Sequence, residues 1–140
     1  GTTLLLHCDL VFASPTAKFK VPFVDLGVVP ENASSILMPQ RMGRARAGAY
    51  LLLGETVDAQ QALADGIVTR IVPDEELDTT AWNAAKKIAA KPRQAMLEAT
   101  KLLRHDRPSI EDAIRREGKV FCERLKSEEA RQVMAAFFKR

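Results

Sequence analysis

Glu31 is the side chain whose type and place best suit proton chemistry. It follows Pro30, where a loop runs through Glu31-Asn32-Ala33-Ser34-Ser35 into the apolar residues Ile36, Leu37 and Met38, the order of a helix start. At such a junction backbone N–H groups and the positive end of the helix dipole favour a carboxylate. A glutamate held there can act as a general base or simply close a helix end, and the local sequence leaves both open. Asp25, two positions past Phe23, offers the same choice, as an acid or as a loop carboxylate. His7-Cys8-Asp9 unites three residue types that build nucleophilic sites. Neighbours on a helix or strand point in different directions, however, so the three cannot converge on one atom. Cys8 then reads as a small buried hydrophobe. Ser34-Ser35 lacks the flanking glycines of a nucleophile elbow, and His105 sits in a basic helix-end segment, which argues against a serine hydrolase. No glycine cluster fits a phosphate or dinucleotide loop, and no His, Cys and carboxylate spacing fits a metal.

The elements that must position Glu31 are legible as patterns. Asp9 to Ala13 and Ala17 to Pro22 are rich in strand formers, with Ser14-Pro15-Thr16 as a turn between them, which predicts two short strands. Leu26 to Pro30 reads as a loop, and the helix after Glu31 should stop near Gly43. Arg44 to Leu53 is helix-forming and ends at Gly54, while Asp58 and Gln61 have the spacing of a capping box opening a short helix that Gly66 closes. Ile67 to Val72 is a predicted strand. Beyond Pro73 four amphipathic helices are expected. Their apolar faces carry Trp82, Ala85 and Ala89; Met96, Thr100 and Leu103; Ile110, Ala113, Ile114, Phe121 and Leu125; and Val133, Met134, Phe137 and Phe138. Ser109 is the expected N-cap of the third. The fold class is therefore α/β to about Val72 and all-α after it.

Composition bounds the function classes. The chain has 140 residues, 46% of them hydrophobic, which suits one domain and excludes disorder. Its longest apolar runs fall far short of the roughly 20 residues that span a bilayer, so no membrane partner is expected. The 21 basic and 18 acidic side chains give a net charge of +3, too even for a dedicated nucleic-acid surface. Cys8 and Cys122 lie far apart without CxxC spacing, which favours a reducing compartment over a disulfide framework or metal site. Gly1 stands at the mouth of an apolar segment with nothing before it to pack against, the mark of a cut. The four helical stripes exceed what 70 residues of thin α/β scaffold can cover, so more chain or another subunit is expected to cover the rest.

One resemblance ties these residues together. The run from Gly1 to Ser14, then Ala17-Lys18-Phe19, Pro22, Leu26-Gly27, Pro30-Glu31, Arg41-Met42-Gly43, and Leu53 to Ala59 through Ala62, Ala64 and Gly66-Ile67-Val68, resembles the enoyl-CoA hydratase/isomerase (crotonase) superfamily. The resemblance covers nearly the whole chain. It implies a crotonase-like ββα spiral, of which residues 1–72 are the C-terminal part of the core, and a helical C-terminal region, residues 73–140, that builds trimers or hexamers. It implies also a missing N-terminal half. The substrate implied is an acyl-CoA, a coenzyme A thioester, with no separate cofactor.

The same resemblance assigns site residues. Two backbone N–H groups hold the thioester oxygen in this family. One belongs to an N-terminal segment and the other to the position just before Gly1, which puts Gly1 beside the substrate. Each such donor is typically worth about 3 kcal/mol toward an enolate, so this stretch alone is expected to be nearly inert. The two glutamates of family hydratases match Thr3 and Phe23 here, and neither Thr nor Phe exchanges protons near neutral pH. The segment from Pro22 to Ser35 resembles the Δ3,Δ2-enoyl-CoA isomerase branch, whose single base matches Glu31. Phe23, Leu37 and Met38 are implied acyl-pocket residues, or equally core. Lys139 and Arg140 match a basic pair that approaches the CoA phosphates, or serve the helix dipole. Glu31 is expected to open onto a pocket next to Gly1 with Phe23 in its wall. The alternatives are an enoyl-CoA hydratase and a catalytically silent trimeric binding or scaffold member. The terminal Phe-Lys-Arg is not a peroxisomal Ser-Lys-Leu address, so a cytoplasmic location is expected.

Overall fold

The computed structural model describes residues 1–104 and 107–138. The chain opens on a 3-10 helix, Thr2–His7, that buries Thr3 and Leu6. The two expected strands form, each trimmed to two residues: β1 is Phe12–Ala13 and β2 is Lys18–Phe19. Neither pairs with the other. β1 runs parallel to β4 (Arg70–Ile71), and β2 runs antiparallel to β3 (Val57–Asp58). A parallel pair needs a long crossover, and α1 (Ser34–Met42), α2 (Arg44–Leu51) and α3 (Ala59–Ala64) lie in the chain between β1 and β4.

β3 lies where the sequence showed only a helix cap. Asp58 does both jobs: its backbone is extended, with φ −86° and ψ 179°, and its carboxylate accepts from the Gln61 amide at 2.8 Å. An N-cap residue has strand-like dihedrals, so one residue ends β3 and opens α3. The other arm of the expected capping box is absent. Gln61 instead donates through its side chain to Asp65 at 3.0 Å.

After Val72 every described element is helical: a 3-10 turn, Asp74–Glu76, then α4 (Leu77–Ala89), α5 (Arg93–Leu103), α6 (Arg107–Leu125) and α7 (Glu128–Phe137). Ser109, the expected N-cap, falls inside the first turn of α6. The loop expected from Leu26 to Pro30 is preceded by a further 3-10 turn, Val24–Leu26, closed by Gly27 at φ 70°.

The core is built from Leu6, Val11, Phe19, Val21, Met38, Tyr50 and Ile67, and the C-terminal helices add only Ala113 and Ala130 to it among the described residues. Those two alanines mark where α6 and α7 approach closely. A Cβ built at Gly27 would lie 2.9 Å from the Ala130 Cα, so glycine is required there by contact as well as by dihedral. By contrast, α4 and α5 bury no residue, and Trp82, Leu102, Leu103 and Phe138 are 68–80% exposed. The foreseen apolar stripes are thus exposed in part, while Ile110 and Ala113 of the third pack on the core.

One buried acid anchors the α2–α3 layer. Asp65, 2% exposed, accepts from Tyr50 Oη at 2.8 Å, Arg46 Nη1 at 2.9 Å and Gln61 Nε2 at 3.0 Å. Burial, and then the hydrogen bond to Asp65, raise the Tyr50 hydroxyl well above the usual phenol range. A carboxylate with three donors is a tolerable buried charge.

Candidate active site

Glu31 and Thr3 come from opposite ends of the first thirty residues and meet. The 3-10 helix turns Thr3 inward, and its Oγ1 donates to Glu31 Oε1 at 2.7 Å. Thr3 is buried and Glu31 half-buried. The Thr3 hydroxyl therefore grips the Glu31 carboxylate. Among the described residues, Thr3 is the hydrogen-bond partner of that carboxylate.

The turn that carries Glu31 is strained. Asn32 and Ala33 both have left-handed backbones, φ 60° and 57°. Alanine in that region costs roughly 1–2 kcal/mol, and such strain persists only where surrounding contacts over-determine it. Four contacts do so here. Ser34 Oγ donates to the Glu31 carbonyl at 2.7 Å, and His7 Nε2 donates to the Asn32 carbonyl at 2.9 Å. Thr3 holds the Glu31 carboxylate. From 84 positions downstream, Glu117 on α6 accepts the Ala33 amide at 2.6 Å through Oε2 and the Ser35 amide at 3.1 Å through Oε1, with the Ser35 hydroxyl donating to Oε1 as well.

This corrects one expectation. The amides at the start of α1 were expected to favour the Glu31 carboxylate, yet two of them are taken by Glu117, and the Ser34 amide goes to the Glu31 backbone carbonyl at 3.1 Å. Ala33 in the N-cap position has no side-chain acceptor, so a tertiary carboxylate supplies it. An alanine before Ser34-Ser35 was the signal available in the sequence. Its partner, on α6 with four α-helices between in the chain, was not.

The remaining candidates scatter. Gly1 is exposed, and its carbonyl accepts the Leu4 amide at 3.2 Å. Phe23 is half-buried against the core, and Leu37 is a core residue, 7% exposed. Lys139 and Arg140 lie outside the described residues, as does His105. Asp25 is an exposed partner of Lys20 at 3.4 Å. His7, Cys8 and Asp9 diverge as expected: His7 bonds Asn32, Cys8 is exposed with its Sγ directed to the Leu4 carbonyl, and Asp9 pairs with Arg104. Ser34 and Ser35 are spent on the turn.

A cavity of about 490 Å³ lies at the far end of the 3-10 helix, walled by Leu6, Leu37, Arg41, Ile110 and Ile114. Leu37 is the one residue of the expected acyl wall that borders it; Glu31, Gly1 and Phe23 do not. Beside it Arg41 donates to the Leu6 and Gly66 carbonyls. Burial lowers the Arg41 guanidinium from its ordinary value, with Cys8 opposing the shift. No group of three or more His, Cys, Asp or Glu suited to a metal occurs among the described residues.

The hydroxyl of Thr3 and the carboxylate of Glu31 are thus paired at a strained, multiply pinned turn, and comparison with known proteins decides the family of the chain. The model of the enoyl-CoA hydratase/isomerase family matches residues 1–140. The chain belongs to that family. A crystal structure of an enoyl-CoA hydratase/isomerase from Pseudoalteromonas atlantica superposes with a TM-score of 0.96 at 38% identity, over 99% of this chain and 56% of that one. Enoyl-CoA delta isomerase 2 of Rattus norvegicus is 38% identical over 104 residues, 74% of this chain and 27% of that protein. A probable enoyl-CoA hydratase of Rhizobium meliloti is 33% identical over 138 residues, 98% of this chain and 54% of that protein. This family member thus has the crotonase-like α/β fold and spans about half, or less, of the length of these relatives. Among its described residues no helix is long and apolar enough to cross a membrane.

Proposed function

We propose that the full-length protein shifts the double bond of a 3-enoyl-CoA to give a 2-enoyl-CoA, with Glu31 as the single base. The observation that carries this reading is the 2.7 Å bond from Thr3 Oγ1 to Glu31 Oε1. It brings the glutamate to the start of the chain, where the family resemblance places the thioester oxygen, and Thr3, which the resemblance sets at one of the two hydratase carboxylate positions, cannot trade protons near neutral pH.

The step balances without water. Glu31 takes a proton from C2, and the C–H electron pair moves into the thioester as an enolate conjugated with the C3–C4 double bond. Glu31 then returns the proton at C4, leaving the double bond between C2 and C3. Only proton transfer is involved, so the scheme calls for no separate cofactor beyond the coenzyme A carried by the substrate. In this reading Gly1, Phe23 and Leu37 border the thioester and its acyl chain, and Lys139 reaches toward the CoA phosphates. The donors for the thioester oxygen belong to a preceding N-terminal half. The exposed Trp82, Leu102, Leu103 and Phe138 support burial against that half or against sister subunits of a trimer or hexamer. A cytoplasmic location completes the reading.

Relatives named as hydratases favour a second reading, hydration of 2-enoyl-CoA. Incubating the full-length protein with each thioester separately chooses between them. Turnover of 3-enoyl-CoA to the conjugated product supports the isomerase. Turnover of 2-enoyl-CoA alone, giving the hydroxyacyl product, overturns it, and turnover of neither favours a silent binding or scaffold member.

A further inference from the structure

The N-terminus of α1 has an unusual cap. Its N-cap residue, Ala33, brings no acceptor and sits in a left-handed conformation at φ 57°, directly after a left-handed Asn32. The acceptor comes instead from α6, where Glu117 spends both carboxylate oxygens on Ala33 and Ser35. These are charge-assisted bonds, the stronger class, and they act at a helix start where negative charge is favoured. Between the strained pair and Thr3 lies one residue of consequence, Glu31. The geometry points to a remote positioning residue: we propose that Glu117 holds the Asn32-Ala33 turn and thereby fixes the direction of the Glu31 side chain, coupling the C-terminal helical region to the active site.

Three features support positioning over general stabilisation. The contact joins residues 82 and 84 positions apart in sequence, and it grips the backbone amides of Ala33 and Ser35, two and four positions after Glu31. The turn is also pinned by His7 on the Asn32 carbonyl and by Ser34 on the Glu31 carbonyl, but among the described residues only Glu117 binds the amides of Ala33 and Ser35 through a side chain, so releasing it frees the downstream side of the strained pair. Strain of this kind relaxes when its restraints are removed, and the first bonds to rotate are those flanking residue 32. Glu31 would then keep its chemistry and lose its aim. A misplacement of about 1 Å at a reacting group is enough to cost roughly 10²-fold in rate.

The inference rests on Glu31 being the base, and its test separates the two ideas. Glu117→Ala and Glu117→Gln are made in the full-length protein, with amide hydrogen exchange at Ala33 and Ser35 read beside kcat and KM for 3-enoyl-CoA. The expected result for Glu117→Ala is faster exchange at both amides, kcat lower by about 10- to 100-fold and KM little changed. Glu117→Gln, which keeps an acceptor oxygen of the same reach, should recover part of both losses. Unchanged exchange at Ala33 and Ser35 in Glu117→Ala overturns the cap. Faster exchange with unaltered kcat, or a loss confined to KM, overturns positioning. Full turnover by Glu31→Gln overturns the base reading and with it the coupling, while the exchange data still report on the cap alone. Should Glu117→Ala fail to fold, Glu117→Gln carries the same readouts.

Discussion

Replacing Thr3 by Val removes the hydroxyl that grips Glu31 and keeps the shape of a buried side chain. The magnitude follows from the contact. A hydrogen bond to a charged group contributes about 1.5–3 kcal/mol, and 1.4 kcal/mol is about tenfold in rate. Glu31 is only half-buried, so water can replace part of what Thr3 supplies, and the lower end of that range applies. The expected loss in kcat/KM for 3-enoyl-CoA is therefore about tenfold, borne mainly by kcat because Thr3 orients the base and the substrate's bulk is bound elsewhere. Thr3→Ser keeps the donor and should stay close to the parent rate. The assay follows the ultraviolet absorbance of the conjugated thioester formed by the full-length protein, with thermal melting as a check that each variant is folded. A folded Thr3→Val with parental kcat refutes the reasoning, since the bond would then be a packing detail. So would an equal loss in Thr3→Ser.

Other expectations concern the buried acid. Asp65→Ala strips three donors of their acceptor in a site 2% exposed, and denaturant unfolding should show a loss of about 3 kcal/mol. Arg46, half in water, contributes little of it. Because the Tyr50 hydroxyl is raised above its ordinary value of 10.0 by burial and then by Asp65, the native state holds that proton more tightly than the unfolded state. Stability from this group is complete below about pH 10 and falls as pH rises beyond it, by at most about 1.4 kcal/mol per pH unit. Tyr50→Phe should lose stability at neutral pH and flatten that alkaline fall; a parental alkaline slope in Tyr50→Phe would contradict the assignment.

The helices were readable because their signals are local. Gly43, Gly54 and Gly66 take positive φ of 79°, 61° and 75° at the stops where the pattern placed them, and the apolar stripes from Trp82 to Phe138 sit on four helices. Strand-forming segments were readable too, but not their partners: β1 reaches across three helices to β4, and nothing local in Phe12-Ala13 names Arg70-Ile71. β3 was hidden because Asp58 carries a cap signal that uses the same extended backbone as a strand. Ser109 misled because serine before an apolar run looks like a cap wherever the helix in fact begins.

In the site, Glu31 stood out by type and place, and its partners did not. Thr3 read as a lost carboxylate, yet its hydroxyl has a donor's role that only the fold of the 3-10 helix reveals. Glu117 lies among several acidic residues on an amphipathic helix, and no spacing within α6 distinguishes the one that turns back to α1. Long-range side-chain to backbone bonds leave no periodic trace in a sequence, which is why the restraints on Glu31 were illegible while the residue itself was not.

The most direct test of Glu31 as the proton carrier is Glu31→Gln in the full-length protein, assayed with 3-enoyl-CoA. The amide keeps the acceptor for Thr3 and nearly the same volume, and it cannot take a proton. General acid–base catalysis contributes about 10²–10⁴-fold, so kcat should fall by that factor while the variant melts like the parent. A folded Glu31→Gln that isomerises 3-enoyl-CoA at the parental rate would contradict the central claim.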